Sequence, residues 1–255
     1  MTDSPSHYRA SIAALQFLTT LPTPALPSAV SERELGLSLL WYPAVGLLIG
    51  LLLVLTASLL PLPVSIQALL VVVVWVILTG ALHLDGLADC ADALLGGLGD
   101  RERTLELLKD PLCGSMAVVA LVLALLFKWL LVQALLSASL SLWLLIVPAL
   151  ARAALLPFFA VTPYVRSGGL GAALAGHFPR AAANRLVFAL GLSLLLFAGF
   201  WVTFVVLLGA AAVFFAVRRL AMTRLGGFTG DVAGALVEIS ELAIMLALLL
   251  ALGVA

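Results

Sequence analysis

A chain of 255 residues that is 64% hydrophobic and 10% charged, with mean hydropathy +1.25, lies outside the range of water-soluble domains, in which about a quarter of residues are charged. Its 13 basic and 13 acidic residues cancel, which removes the electrostatic case for a nucleic-acid partner. Cys90 and Cys113 have neither a CxxC partner nor metal-ligand spacing, so they read as small buried thiols with no disulfide framework.

In chain order, polar residues 1–11 lead into Ile12–Leu21, an apolar patch closed by Pro22, Pro24 and Pro27. As helix it covers about 15 Å, half of a hydrocarbon core about 30 Å thick. Only Arg9 precedes it as a basic residue and no A-x-A-like cleavage site follows. Residues 1–35 are therefore expected to form an interfacial or re-entrant segment rather than a cleaved signal. Seven spans are expected next: Gly36–Leu60, Val64–Leu82, Ser115–Leu136, Leu140–Phe159, Arg185–Trp201, Thr203–Val217 and Val232–Val254. The fifth and sixth come from one apolar run, Leu186–Val217, whose 32 residues would make about 48 Å of helix. That exceeds a bilayer core even with tilt, so a turn is placed near Val202.

Charge supports the division. With seven spans, Arg9, Arg33, Arg101, Arg103, Lys109, Arg166, Arg180, Arg185, Arg218, Arg219 and Arg224 fall on one side, eleven of the 13 basic residues. The short loops of the other side carry none. Basic loops stay cytoplasmic, so the expectation is a single all-α integral-membrane domain over 1–255 with its N-terminus and long loops in the cytoplasm. Lys128, beside Trp129, is read as snorkelling towards the outer interface.

Two polar clusters stand out. Within the acidic loop 83–114, Asp85, Asp89 and Asp92 follow His83 at the end of an apolar run. On a helix they occupy an arc of roughly 60° and rise about 10 Å. Either a cation sits there or the stripe faces water; carboxylates at this spacing suit Mg²⁺ with substrate phosphates. The small residues Ala88, Ala91 and Ala93 leave room for a ligand. Gly96, Gly97 and Gly99 make a corner, after which Asp100 can cap a helix running to Leu108. Asp110 precedes Pro111, which pushes it out of helical geometry. At the far end, Gly226-Gly227-Phe228-Thr229-Gly230-Asp231 reads as a tight turn into a helix N-terminus, suited to phosphate or simply to capping. Glu238 and Glu241 lie deeper in the last span, with Arg152 as their counter-ion or as a phosphate ligand.

HLDGLADCADALLGG, RERTLELLKDPLCGS and GGFTGDVAGALVEISE, with FLTTLPTP and PYVRSGGLGA, resemble the cobalamin synthase family, the adenosylcobinamide-GDP ribazoletransferases, over nearly the whole chain. The chain departs from the family's usual KDxRxG, having Lys109-Asp110-Pro111-Leu112-Cys113-Gly114 in its place. The aspartate spacing is similar, more loosely, to CDP-alcohol phosphotransferases acting on a lipid. Their fuller motif has an Ala-Arg two residues after the Gly and a further pair of aspartates, where this chain reads Leu87-Ala88-Asp89. An ion-coupled transporter, with Asp231, Glu238, Glu241 and Arg152 as its ion path, is the non-enzyme alternative. It calls for internal repeats, which are absent, and for polar groups at the bilayer midplane, whereas these are expected to gather at the cytoplasmic face.

The resemblance implies a Mg²⁺-dependent transferase of the bacterial inner membrane with its site facing the cytoplasm. A hydroxyl of α-ribazole or its 5′-phosphate attacks adenosylcobinamide-GDP, and GMP leaves. Asp85, Asp89 and Asp92 are then the expected metal ligands, and these three with Asp231 the catalytic carboxylates. His83, Lys109, Asp110, Arg152, Gly227 and Thr229 are the expected substrate-facing residues. Partners are the two small molecules and the lipid bilayer, with homo-oligomerisation left open. Since one diphosphate must meet both clusters, the second and seventh spans are expected to be neighbours.

Overall fold

The computed structural model describes residues 6–26, 28–59, 61–108, 110 and 112–254, and among these it is helical with no strand. Two short helices, α1 (His7–Leu18) and α2 (Glu32–Ser38), precede α3 (Tyr42–Leu59), to which α2 is joined by a 3₁₀ turn. Then come α4 (Val64–Thr79), α5 (Leu82–Gly96), α6 (Arg101–Leu107) and α7 (Ser115–Ser137). A second 3₁₀ turn leads into α8 (Val147–Ala153) and α9 (Leu155–Val161). The chain finishes with α10 (Gly169–Gly176), α11 (Arg180–Leu225) and α12 (Gly230–Ala251).

By length and composition, Glu32–Leu59, α7, Ser141–Val161, α11 and α12 can each cross a bilayer, and the bent pair α4–α5 makes a sixth, broken span. α11 is itself interrupted at Gly199, whose φ of 77° and ψ of 172° belong to no helix and suit only glycine. Val187 and Leu190 before the break line the same groove as Ala210 and Phe214 after it. The two arms therefore fold back on one another, and counting them separately gives the seven spans expected. The break lies at Gly199, ahead of the turn placed near Val202. α1, with 12 residues, is about 18 Å long and cannot cross.

The second span differs from expectation in a way that matters for function. It does not run to Leu82 and open into a loop. α4 stops at Thr79, and Gly80 and Ala81 both adopt the left-handed conformation at φ 57°. The Ala81 N–H donates to Val76 O and the Gly80 N–H to Ile77 O, each at 3.1 Å, a paired closure of the helix end. The chain then turns by 88° into α5, which carries His83 and all three aspartates. Thr20, just past α1, locks this corner: its N–H donates to Leu78 O and its hydroxyl to Ile77 O, both at 2.8 Å.

α5 packs along α12 and α7, whereas α4 packs on α3 and α7. The neighbour of the last helix is thus the second arm of this broken span, α5, rather than its first, α4. Glycine allows the approach. A Cβ on Gly86 would lie 2.6 Å from the Asp231 carbonyl oxygen, and one on Gly234 3.5 Å from the Cα atoms of Gly86 and His83. Small residues let helix backbones come this close in a lipid-facing protein.

The polar loops meet at one end of the bundle. Arg101 Nε donates to Leu225 O at 2.8 Å, Arg180 to Ala160 O at 2.6 Å and Arg218 to Val161 O at 3.2 Å. Side chains that the sequence places on one side of a membrane thus bind one another's backbones.

Candidate active site

A cavity of about 310 Å³ opens at that end, walled by α1, α3, α5, α9, the 164–168 loop, α10 and the start of α12. Its apolar walls include Phe17, Leu18, Tyr42, Leu155 and Phe159, and its polar atoms come from His83, Asp85, Tyr164, Arg166 and Asp231. Asp89 sits one turn beyond Asp85 on α5, within electrostatic reach of Asp85, Asp231 and Arg166. Two acidic clusters far apart in sequence thus meet at one place.

Asp231 is held from two sides. Its Oδ2 accepts from Arg166 Nη2 and from the Thr229 hydroxyl, both at 3.1 Å, and among the described residues Oδ1 has no hydrogen-bond donor. Arg166 is fixed in turn by donating to Leu108 O at 3.0 Å. The loop that carries it is stitched to the GGFT turn: Phe228 N–H donates to Pro163 O at 2.9 Å and Val165 N–H to Phe228 O at 3.0 Å. Phe228 is buried against Phe158, Phe159 and Tyr164. Burial pushes the Tyr164 phenol above its ordinary range, with Arg166 opposing and Asp231 adding.

Several expected site residues take other tasks. Asp92 accepts from Gly114 N–H at 2.6 Å and Ala117 N–H at 2.9 Å, so it caps α7, whose own N-cap, Gly114, has no side chain to do so. Gly226 closes α11 in the left-handed conformation at φ 72°, and the Gly227 N–H turns back towards Ala221 O at 3.4 Å. Thr229 is fully buried and caps α12. The N–H groups of Gly226, Gly227 and Phe228 therefore hold the fold, leaving no open cradle at Gly227. Asp110 closes a local turn by accepting from Leu112 N–H at 3.0 Å. Lys109 lies outside the described residues.

Arg152 and Lys128 both lie inside the bundle. Arg152 is 0% exposed; it hydrogen-bonds Glu241 through Nη1 and faces His83 Nδ1 across 3.2 Å through Nη2. It is the counter-ion of the two alternatives and does not line the cavity. Lys128 does not snorkel. It is 2% exposed, pairs with Glu238 at 2.5 Å and Glu241 at 2.7 Å, and lies over the Trp75 ring at 4.5 Å. Lys128 is 13 residues into α7 and Glu241 11 into α12, about 20 and 17 Å from the helix starts. That is mid-bundle, deeper than the expected gathering at the cytoplasmic face. The four side chains pair with one another, two cations against two carboxylates.

Arg166 and Tyr164 were not among the expected site residues. Their only signal in the sequence is the glycine-rich PYVRSGGLGA loop around them.

No three His, Cys, Asp or Glu side chains among the described residues converge into a ready-made metal site. Mg²⁺ does not require one, because it takes one or two carboxylates and fills its shell with water and phosphate oxygens. Asp85 and Asp89, one turn apart, fit that pattern.

An acidic, arginine-bearing cavity at the loop end of a multi-pass helical bundle defines the class: a helical membrane protein with a polar, ligand-sized site at the end of its spans. A family model described as cobalamin-5-phosphate synthase matches residues 10–249. Adenosylcobinamide-GDP ribazoletransferases of Pseudomonas savastanoi pv. phaseolicola and Pseudomonas syringae pv. syringae are 52% and 53% identical over 93% of this chain and 97% of their own length. The one from Pseudomonas putida strain GB-1 is 53% identical over 94% of this chain and 98% of its own. No solved structure matches. The chain belongs to the cobalamin-5-phosphate synthase family and is a transferase.

Proposed function

We propose that this chain joins α-ribazole, or its 5′-phosphate, to adenosylcobinamide-GDP in the cavity between α5, the 164–168 loop and α12. The observation that supports this most is the convergence of Asp85, Asp231 and Arg166 on one wall. Transfer of a phosphoryl group depends chiefly on positioning and charge neutralisation, and these residues supply both. No other reading is favoured by a specific observation.

In the reaction, the acceptor hydroxyl oxygen bonds to the cobinamide-linked phosphorus, and the bond from that phosphorus to the bridging oxygen of GMP breaks. GMP leaves with that oxygen. Asp231 is oriented for the hydroxyl proton: Arg166 and Thr229 tie down Oδ2, and Oδ1 accepts. Arg166 Nη1, which makes no hydrogen bond among the described residues, meets phosphate oxygens. Mg²⁺, held by Asp85 and Asp89, would neutralise diphosphate charge. Asp92 positions the stripe by anchoring it to α7. The apolar walls exclude water, which would otherwise compete as acceptor. The cavity faces the cytoplasm, because the basic loops around it are of the kind retained there.

Purified protein given both substrates should release GMP and the joined corrinoid with Mg²⁺ present, and neither after chelation. GMP release that is indifferent to ribazole would refute the transfer, and full turnover in excess chelator would refute the metal.

A further inference from the structure

Arg152, Lys128, Glu238 and Glu241 play no part in the reaction above, and none of them lines the cavity. Four buried ionisable groups in mid-bundle are nonetheless costly to keep. They balance, two cations against two carboxylates. Lys128 bridges Glu238 and Glu241, and Glu241 also holds Arg152. The Pro148 carbonyl accepts from Arg152 Nη1 at 3.3 Å as well. The guanidinium is thus fixed in place, and its free edge is turned on His83, which does line the cavity.

That contact has a direction. Arginine stays protonated and carries donors only. Across the 3.2 Å, Nη2 therefore donates and His83 Nδ1 accepts. A ring that accepts at Nδ1 is neutral and carries its one proton at Nε2. Nε2 is then the ring's remaining polar atom, on a residue two positions from Asp85 in the cavity wall.

The structure assigns to Arg152 the role of a positioning residue: it holds His83 as the Nε2–H tautomer, so that the ring offers a hydrogen-bond donor to a phosphate oxygen of the bound diphosphate. This rests on reading the cavity as the phosphotransfer site. It gives the buried charge network a task, which is to keep the guanidinium still. His83 contributes a donor where Asp85 contributes charge, and the acid–base chemistry stays with Asp231. A neutral donor suits a site in which Arg166 is the cation already present, since it adds hydrogen bonding without further charge to desolvate.

Two measurements test the assignment, one of them independent of activity. The chain has three histidines, so in protein carrying His7→Gln and His177→Gln the ¹⁵N signals of His83 stand alone. Nδ1 should read as unprotonated and Nε2 as protonated, and the charge-balanced pair Arg152→Gln/Glu241→Gln should move both towards a mixed average. A protonated Nδ1 in the otherwise native protein would overturn the assignment whatever the reaction is.

For turnover, His83→Gln retains a donor near the Nε2 position and should stay within about 10-fold of native. His83→Asn, which places its amide nearer Nδ1, should lose about 100-fold in kcat. The Arg152→Gln/Glu241→Gln pair should cost about 10- to 100-fold in kcat with KM little changed. In a His83→Gln background the same pair should cost less than about 3-fold, since its target is gone. An equal loss in both backgrounds would mean that the network only holds the bundle together. Thermal unfolding in detergent accompanies each variant. Should the pair variant not fold, the nitrogen signals of the otherwise native protein decide alone. If those signals are as expected but no substrate turns over, the functional reading fails and the tautomer assignment stands.

Discussion

Asp85 and Asp92 look equivalent on a helical wheel, and their surroundings separate them. Asp92 has both oxygens on the first turn of α7, while Asp85 lines the cavity. Asp85→Asn should lower turnover about 100-fold, the scale for removing one charge-stabilising group, with the unfolding midpoint unchanged. Asp92→Ala removes a charged cap, worth about 1 kcal/mol. It should lower the midpoint, and the activity surviving at low temperature should exceed that of Asp85→Asn. Equal midpoints for the two variants would refute the division. This difference was not legible in the sequence, because the partner that claims Asp92 is a backbone N–H 22 residues away. Asp100 was legible, since its partner, the Arg103 N–H, is local. Lys128 was misread for the same reason as Asp92. Snorkelling is the default for a lysine beside an interfacial tryptophan, and only the packing of α12 against α7 supplies the two carboxylates that keep it inside.

Among the elements, the α5 arm and its crossing of α12 decide the site. Gly86→Ala would drive a methyl into the Asp231 backbone, which cannot yield as a side chain tip would. Overpacking of this kind costs about 1–3 kcal/mol, and here it should also part Asp85 from Asp231, so turnover should fall by more than stability does. Gly191→Ala, a helical position with open space around it, is the control and should stabilise by roughly 0.5–1 kcal/mol. Normal turnover in Gly86→Ala would show that the crossing can loosen without harm. Span count and the split of the long run follow from length alone, so they were visible in advance. The 88° corner was not. It needs left-handed backbone at both Gly80 and Ala81, and an alanine gives no hint of that conformation. α10 was also missed, since GLGAALAG reads as a flexible loop until Gly36 of α2 lets the His177 backbone seat against it.

For the molecule as a whole, the gathering of basic loops at one end supports a sidedness that labelling can check. In a background lacking Cys90 and Cys113, single cysteines at Leu98, Ser167 and Thr223 should react only from the cytoplasm, and one at Ser137 only from outside. Thr223 labelling from outside would break the hairpin at Gly199 and the seven-span arrangement with it. Two basic residues stay out of that one-sided count, Lys128 and Arg152. They are the two that the bundle takes inside.

Their pairing also sets an order of events while the protein is being made. Lys128 and Arg152 enter the bilayer on α7 and α8, yet both carboxylates that neutralise them arrive on α12, the last helix of the described chain. Until then each cation is a liability of about 2.5–3.5 kcal/mol at a helix centre. α12 also brings Gly234, which seats α5, and Asp231, which meets Arg166. A ribosome stalled before Glu238 would therefore leave a set of inserted helices with unmatched charge and no finished site, a natural target for membrane quality control.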